Sequence, residues 1–344
     1  GKFERISWDE ATDMVASKII RIKKKYGNTS LFVPYGTGGY NQMGGKWSAD
    51  RLMTMSGGAL GYYNSYSWAC ITKATMTVYG TDETGNQRQD WLNSKYIIMW
   101  GWNPSEMRDG TNSEYFLKEA RKRGARIICI DPRMTMSAVA LADEWIAIRP
   151  GTDVALMSAM AYVMITEGLV DTNFIGKYCM GYEKSQMPEA YKNEETYQDY
   201  ILGIKDNQPK TPEWAEQITS IPGHDIIRIA REYATAESAV LYQGYGMQRR
   251  AYGEQVVRAG CVLAAITGNV GKSGGWASGI ALQAGGGPFW NVLPLLDNPV
   301  KAQIPTFLWS EAVLRGPELT EKDGLVGIDK LPHGIKMIWA VASN

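Results

Sequence analysis

Two side chains three residues apart, Ser67 and Cys70 in the stretch NSYSWACITKAT, could each donate to a metal, one through oxygen and one through sulfur. An alkoxide is a hard donor suited to a high-valent metal, whereas a thiolate is soft. Each residue also has an ordinary structural reading. Ser67 can serve as the N-cap of the helix predicted by WACITKATMTVYG, and Cys70 as a buried neighbour within it. The four cysteines, Cys70, Cys129, Cys179 and Cys261, contain no C-x-x-C pair, and the histidines number two, so no zinc or iron–sulfur site is expected within the chain.

A second set of residues has the chemistry of nucleotide binding. Four short apolar runs are each followed at once by turn residues: YIIMW by GWNPSEMR, RIICI by DPRMT, EWIAI by RPGTD, and AVLYQ by GYGMQRR. Glycines there let backbone N–H groups approach a pyrophosphate, while Asn103, Asp131, Asp153 and Gln248 can meet sugar hydroxyls or base edges. Two familiar phosphate motifs are not completed. In GYGMQR, Arg249 stands where G-x-G-x-x-G needs its third glycine; before GKS at Gly271, the P-loop's opening glycine is replaced by Ile266.

These loops need a frame that gathers them. SEYFLKEARKRG, between the first two runs, has helical apolar spacing and completes a βαβ unit. VALMSAMAYVMITEG, HDIIRIAREYATA and EQVVRAGCVLAAITG continue the alternation of helix and strand. The prediction is an α/β fold: a doubly wound, mostly parallel, Rossmann-like sheet whose ligands lie at the carboxyl ends of its strands. This nucleotide domain is expected over residues 84–275, inserted into a second α/β domain made of 1–83 and 276–344. ISWDEATDMVASKIIRIKKKYG predicts a helix capped by Ser7 and stopped at Gly27, followed by a short strand and a loop of five glycines beside Tyr35 and Tyr40 that could line a pocket. Residues 183–222 are polar and predict an excursion at the periphery.

The 344 residues balance 36 basic against 36 acidic side chains, which argues against nucleic acid or an anionic membrane surface as partner. No apolar run reaches the roughly 18 residues of a transmembrane helix. The 12 tryptophans, 19 tyrosines and 37 glycines suit a protein wrapped around a large organic ligand.

In their order, FERISWDEA, GWNPSEMR, IDPRMT, ADEWIAIRPGTDVAL, YQGYGMQRR, TGNVGKSGG and GIKMIWA resemble successive motifs of the molybdopterin oxidoreductases of the dimethyl sulfoxide reductase type. The likeness covers essentially the whole chain and is nearest to the catalytic subunits of membrane-associated anaerobic enzymes. It implies molybdenum held by two molybdopterin guanine dinucleotides, with cofactor contacts at Gly101, Asn103, Asp131, Arg133, Gly151, Asp153, Gly244, Gly246 and Gln248. The Tyr-Ser pattern of the family's sulfoxide and N-oxide reductases falls on Tyr66-Ser67, which implies Ser67 as catalytic molybdenum ligand and leaves Cys70 a packing role.

The resemblance further implies oxygen-atom transfer from a small sulfoxide or N-oxide in anaerobic respiration. An iron–sulfur electron-transfer subunit and a membrane anchor would be partners, and the enzyme would be exported to the periplasmic side. Relatives carry a [4Fe–4S] cysteine cluster ahead of FERISWDEA and a further domain after GIKMIWA; neither lies in this sequence, so it reads as the central part of a larger subunit preceded by a twin-arginine segment. Two alternatives stand: another oxyanion reductase of the family, acting on selenate or tetrathionate, and a non-catalytic scaffold subunit.

Overall fold

The computed structural model describes residues 1–36, 45–82, 84–107, 112–279 and 293–341. The chain forms two compact units, Gly1–Tyr66 with Pro288–Asn344, and Ser67–Gly287 between them. In the first unit α1 (Trp8–Tyr26) begins as its residues dictate, with the Ser7 hydroxyl accepting from the Glu10 N–H at 3.1 Å and Gly27 at its C-cap. It is followed by β1 (Leu31–Phe32), α2 (Gly45–Met55) and β2 (Gly61–Tyr63). Tyr40 and most of the glycine-rich loop lie outside the described residues.

The second unit runs through α3 (Ala69–Tyr79), β3 (Tyr96–Trp100), α4 (Ser113–Lys122), β4 (Arg126–Ile130), α5 (Met136–Leu141), β5 (Glu144–Ile146) and α6 (Asp153–Thr166). It continues with α7 (Thr172–Tyr178), α8 (Tyr197–Leu202), α9 (Pro212–Thr219), α10 (Gly223–Thr235), β6 (Ala239–Gln243) and α11 (Gly253–Ile266). The chain then returns to the first unit through β7 (Gln303–Pro305), α12 (Trp309–Arg315) and β8 (Met337–Ile338). There β1 pairs with β8 and β2 with β7, both in parallel.

The sheet of the second unit has the order β5-β4-β3-β6, every pair parallel. Its apolar runs follow from burial on both faces. Tyr96, Ile98 and Trp100 of β3 join Leu156, Met160, Ile229 and Leu263 in one core, so α6, α10 and α11 cover that face. Ile97 and Met99 join Leu117, Ala120 and Leu141 from α4 and α5 on the other. The sheet is thus doubly wound. At its amino edge Arg228 pairs with Glu144 at 2.5 Å and Asp225 at 2.9 Å, and the Tyr96 hydroxyl donates to Glu232 at 2.8 Å. The carboxyl edge is left to the loops.

One expectation needs correction. The segment 183–222 is not peripheral: Ile201 of α8, Ala215 of α9 and Ile221 are buried in the core that α6 shares with the sheet. Sparse apolar residues on a polar stretch close that layer. Residues 84 and 275 both lie inside the second compact unit, where Ile71 and Ala74 of α3 bury against Val257 and Cys261 of α11.

Candidate functional site

All four strands of the sheet point the same way, so the segments that follow them emerge at one edge. The loop after β3 and the loop after β6 touch along their backbones. The Gly244 N–H donates to the Trp100 carbonyl at 2.8 Å, and a Cβ at Gly244 would meet the Gly101 carbonyl oxygen at 1.9 Å. Only glycine permits that approach. Gly246 continues the same side-chain-free strip, its Cβ position 3.9 Å from that oxygen. Trp102 is buried and stacks on Tyr242 of β6 with ring centroids 3.8 Å apart, which anchors the first loop. The Asn103 carboxamide oxygen accepts from the Ser137 hydroxyl at 2.7 Å and is thereby turned towards α5.

The second and third loops supply carboxylates. The Asp131 side chain folds back to accept from the Arg133 N–H at 2.9 Å. Burial raises its pKa, against the pull of that N–H and of the Arg133 charge, and Asp153 pushes it up further, so the two carboxyls lie within each other's field. Asp153, in the first turn of α6, is 5% exposed and accepts from the Trp100 indole N–H at 2.9 Å. Burial raises its pKa too, while the Trp100 N–H and then the Arg250 charge lower it.

Gly151 has φ +81°, and a Cβ there would meet the Arg250 guanidinium at 1.9 Å. Arg250 therefore reaches from the fourth loop across the third. Arg133 faces solvent, its guanidinium 3.4 Å from Glu106. The α6 N-terminus, at Asp153, adds a positive dipole end to this edge.

Ser67 opens the second unit. It is not the N-cap of α3: that position is Trp68, whose side chain makes no capping bond. The Ser67 carbonyl accepts from the Gln248 carboxamide at 2.6 Å and from Arg249 Nε at 3.3 Å. Gln248 thus holds the Ser67 segment rather than presenting its amide hydrogens to the crevice. Cys70 is half-buried, not buried as expected. Its thiol is pushed up first by burial and then by the Glu254 charge, against the backbone N–H groups of Glu254 and Gly253 at the first turn of α11. Among the described residues, no three His, Cys, Asp or Glu side chains gather as a metal site, and no helix is long and apolar enough to cross a membrane.

Three relationships escaped the sequence reading: Trp100 to Asp153, Arg250 to Gly151, and Gln248 to Ser67. Trp100 ends an apolar run and reads as core. Arg250 and Gln248 stand in a quoted motif, but their partners lie about 100 and 180 residues away.

The molybdopterin oxidoreductase family profile matches residues 1–340. The chain is 46% identical over 357 residues to dimethyl sulfoxide reductase DmsA of Escherichia coli (strain K12), covering all of this chain and 43% of that protein. It is 45% identical over 355 residues to DmsA of Haemophilus influenzae, covering 44% of it. Trimethylamine-N-oxide reductase 1 of E. coli (strain K12) is 32% identical over 298 residues, 80% of this chain and 33% of that one. Among solved structures, acetylene hydratase from Pelobacter acetylenicus superposes with a TM-score of 0.55 at 27% identity, over 80% of this chain and 34% of that chain. The chain spans less than half the length of these curated relatives. With the family's motifs running in order along the chain and its profile matching nearly every residue, this protein belongs to the molybdopterin oxidoreductase family.

Proposed function

We propose that this chain is the nucleotide-binding and metal-facing part of a molybdenum enzyme that reduces a small sulfoxide or N-oxide. The observation that carries this reading is the side-chain-free strip at Gly101 and Gly244 beside the buried carboxylate of Asp153. A pyrophosphate needs close backbone approach and N–H donors, and guanine offers two adjacent N–H donors that suit a carboxylate. The residues present fit a molybdopterin guanine dinucleotide on both counts. The relatives' names favour S- and N-oxides over other oxyanions.

In this reading Gly101, Gly151, Gly244 and Gly246 admit the phosphates, Asp131 and Asp153 hold sugar and base, and Arg133 and Arg250 balance charge at the rim. Ser67 completes the molybdenum sphere with an oxygen donor. When bound, the molybdenum–pterin group supplies the two-electron redox and oxygen-transfer chemistry. The protein's part is to seat the group, orient it and keep its ligand segment fixed. By resemblance, electrons arrive through a [4Fe–4S] cluster in another part of the subunit and an iron–sulfur partner held by a membrane anchor, on the periplasmic side.

The test is turnover by the complete, cofactor-loaded subunit with a reduced viologen dye as donor. Reduction of dimethyl sulfoxide and trimethylamine N-oxide, at least about tenfold faster than selenate or tetrathionate in kcat/KM, is expected, corresponding to a modest binding-energy difference. Faster reduction of selenate or tetrathionate would contradict it. A subunit that binds no molybdenum would be the scaffold instead.

A further inference from the structure

We propose that Gln248 is a positioning residue that, with Arg249, clamps the peptide carrying Ser67; the proposal rests on the reading of Ser67 as metal ligand. The Ser67 carbonyl lies one residue ahead of the α3 N-cap, so the helix provides it with no donor; the first helical acceptor is Trp68, bonded by the Thr72 N–H at 3.0 Å. Donors must come from elsewhere, and two do.

The Gln248 carboxamide donates one hydrogen to the Ser67 carbonyl at 2.6 Å and the other to the Tyr245 carbonyl at 3.0 Å. Two carbonyl partners require the NH2 group at this end, which settles the orientation of the amide. One side chain therefore ties the loop after β6 to the segment that precedes α3.

Gln248 is itself immobilised. It is 2% exposed, and its backbone packs so tightly on Gly253 that a Cβ there would meet the Gln248 carbonyl at 1.9 Å. Arg249 adds a charged donor to the same Ser67 oxygen at 3.3 Å, with its guanidinium over the Tyr245 ring at 5.7 Å. Fixing a carbonyl fixes the plane of its peptide, and with it the direction in which the Ser67 side chain leaves the backbone. The glycine loop that would carry phosphate and the segment that would carry the metal ligand are thus mechanically one piece.

The decisive measurement is hydrogen–deuterium exchange of residues 67–72 in the full chain, for Gln248→Met, which keeps length and burial but removes both donors, and for the surface change Arg249→Met. Exchange there should quicken about tenfold in Gln248→Met and less in Arg249→Met, with β3 and α6 unchanged, as for local loss of buried hydrogen bonds. Unchanged exchange of 67–72 overturns the clamp. Should Gln248→Met fail to fold, Arg249→Met decides alone by the same criterion.

In the loaded complete subunit, Gln248→Met should also shift the molybdenum electron paramagnetic resonance signal at unchanged metal content. Faster exchange with an unaltered signal overturns the positioning of the metal ligand by Gln248, whereas a signal unaltered in Ser67→Ala overturns the ligand reading instead, which separates the two claims.

Discussion

The indole N–H of Trp100, the last residue of β3, donates to the Asp153 carboxylate at 2.9 Å, so a strand residue that reads as core sets a charge at the carboxyl edge of the sheet. Asp153 is buried, and its folded pKa stands above the ordinary carboxylate value, chiefly through burial. The folded state then holds the proton more tightly than the unfolded chain, so stability is greatest below the unfolded carboxylate pKa and falls as pH rises through the folded one. Asp153→Asn should remove that fall and raise stability at neutral pH, as urea titrations across the acid range would report. It should also relieve Asp131, whose pKa Asp153 helps to raise. Isothermal titration with guanosine diphosphate should show binding weakened by about tenfold or more, since a paired acceptor is lost.

Gly244→Ala places a methyl group against the Gly101 carbonyl, where both sides are backbone and neither can yield cheaply. It should cost about 2–3 kcal/mol of unfolding free energy, measured by urea denaturation, because a well-packed site is overfilled. Guanosine diphosphate binding should fall with it.

Gly151→Ala differs in kind. Its steric obstacle is the far end of Arg250, a flexible side chain, but its φ of +81° penalises any Cβ. The substitution should cost about 1–2 kcal/mol from the backbone alone. Arg250→Ala in the same chain should recover little of this. Full recovery would mean the clash with Arg250, not the dihedral, sets the cost.

Much of the frame was legible in the residues. The runs 96–100, 126–130 and 239–243 are short, apolar and closed by glycine, proline or aspartate, because strands buried on both faces need apolar side chains throughout and their loops must turn at once. The segment 183–222 was misread for the converse reason: Ile201, Ala215 and Ile221 are too widely spaced to mark a buried face, and only their packing on the core that α6 shares reveals one. Likewise, types and spacing nominate glycines and carboxylates, but cannot say which partner a side chain takes. Gln248 offers two hydrogens to whatever is near, and the fold brings the Ser67 and Tyr245 carbonyls. Arg250 and Arg133 are both exposed, yet only the fold shows that Arg250 lies over Gly151 while Arg133 lies near Glu106.

The assignment of the metal ligand is the centre of the account, and molybdenum K-edge X-ray absorption of the loaded complete subunit tests it directly. Ser67→Ala should remove one light oxygen or nitrogen scatterer from the metal shell and abolish most sulfoxide reduction, while Cys70→Ala leaves the shell intact and costs about 1 kcal/mol of stability, as for trimming a small, partly buried side chain. An unchanged shell in Ser67→Ala, with a sulfur scatterer lost in Cys70→Ala, would contradict it and transfer the metal to Cys70.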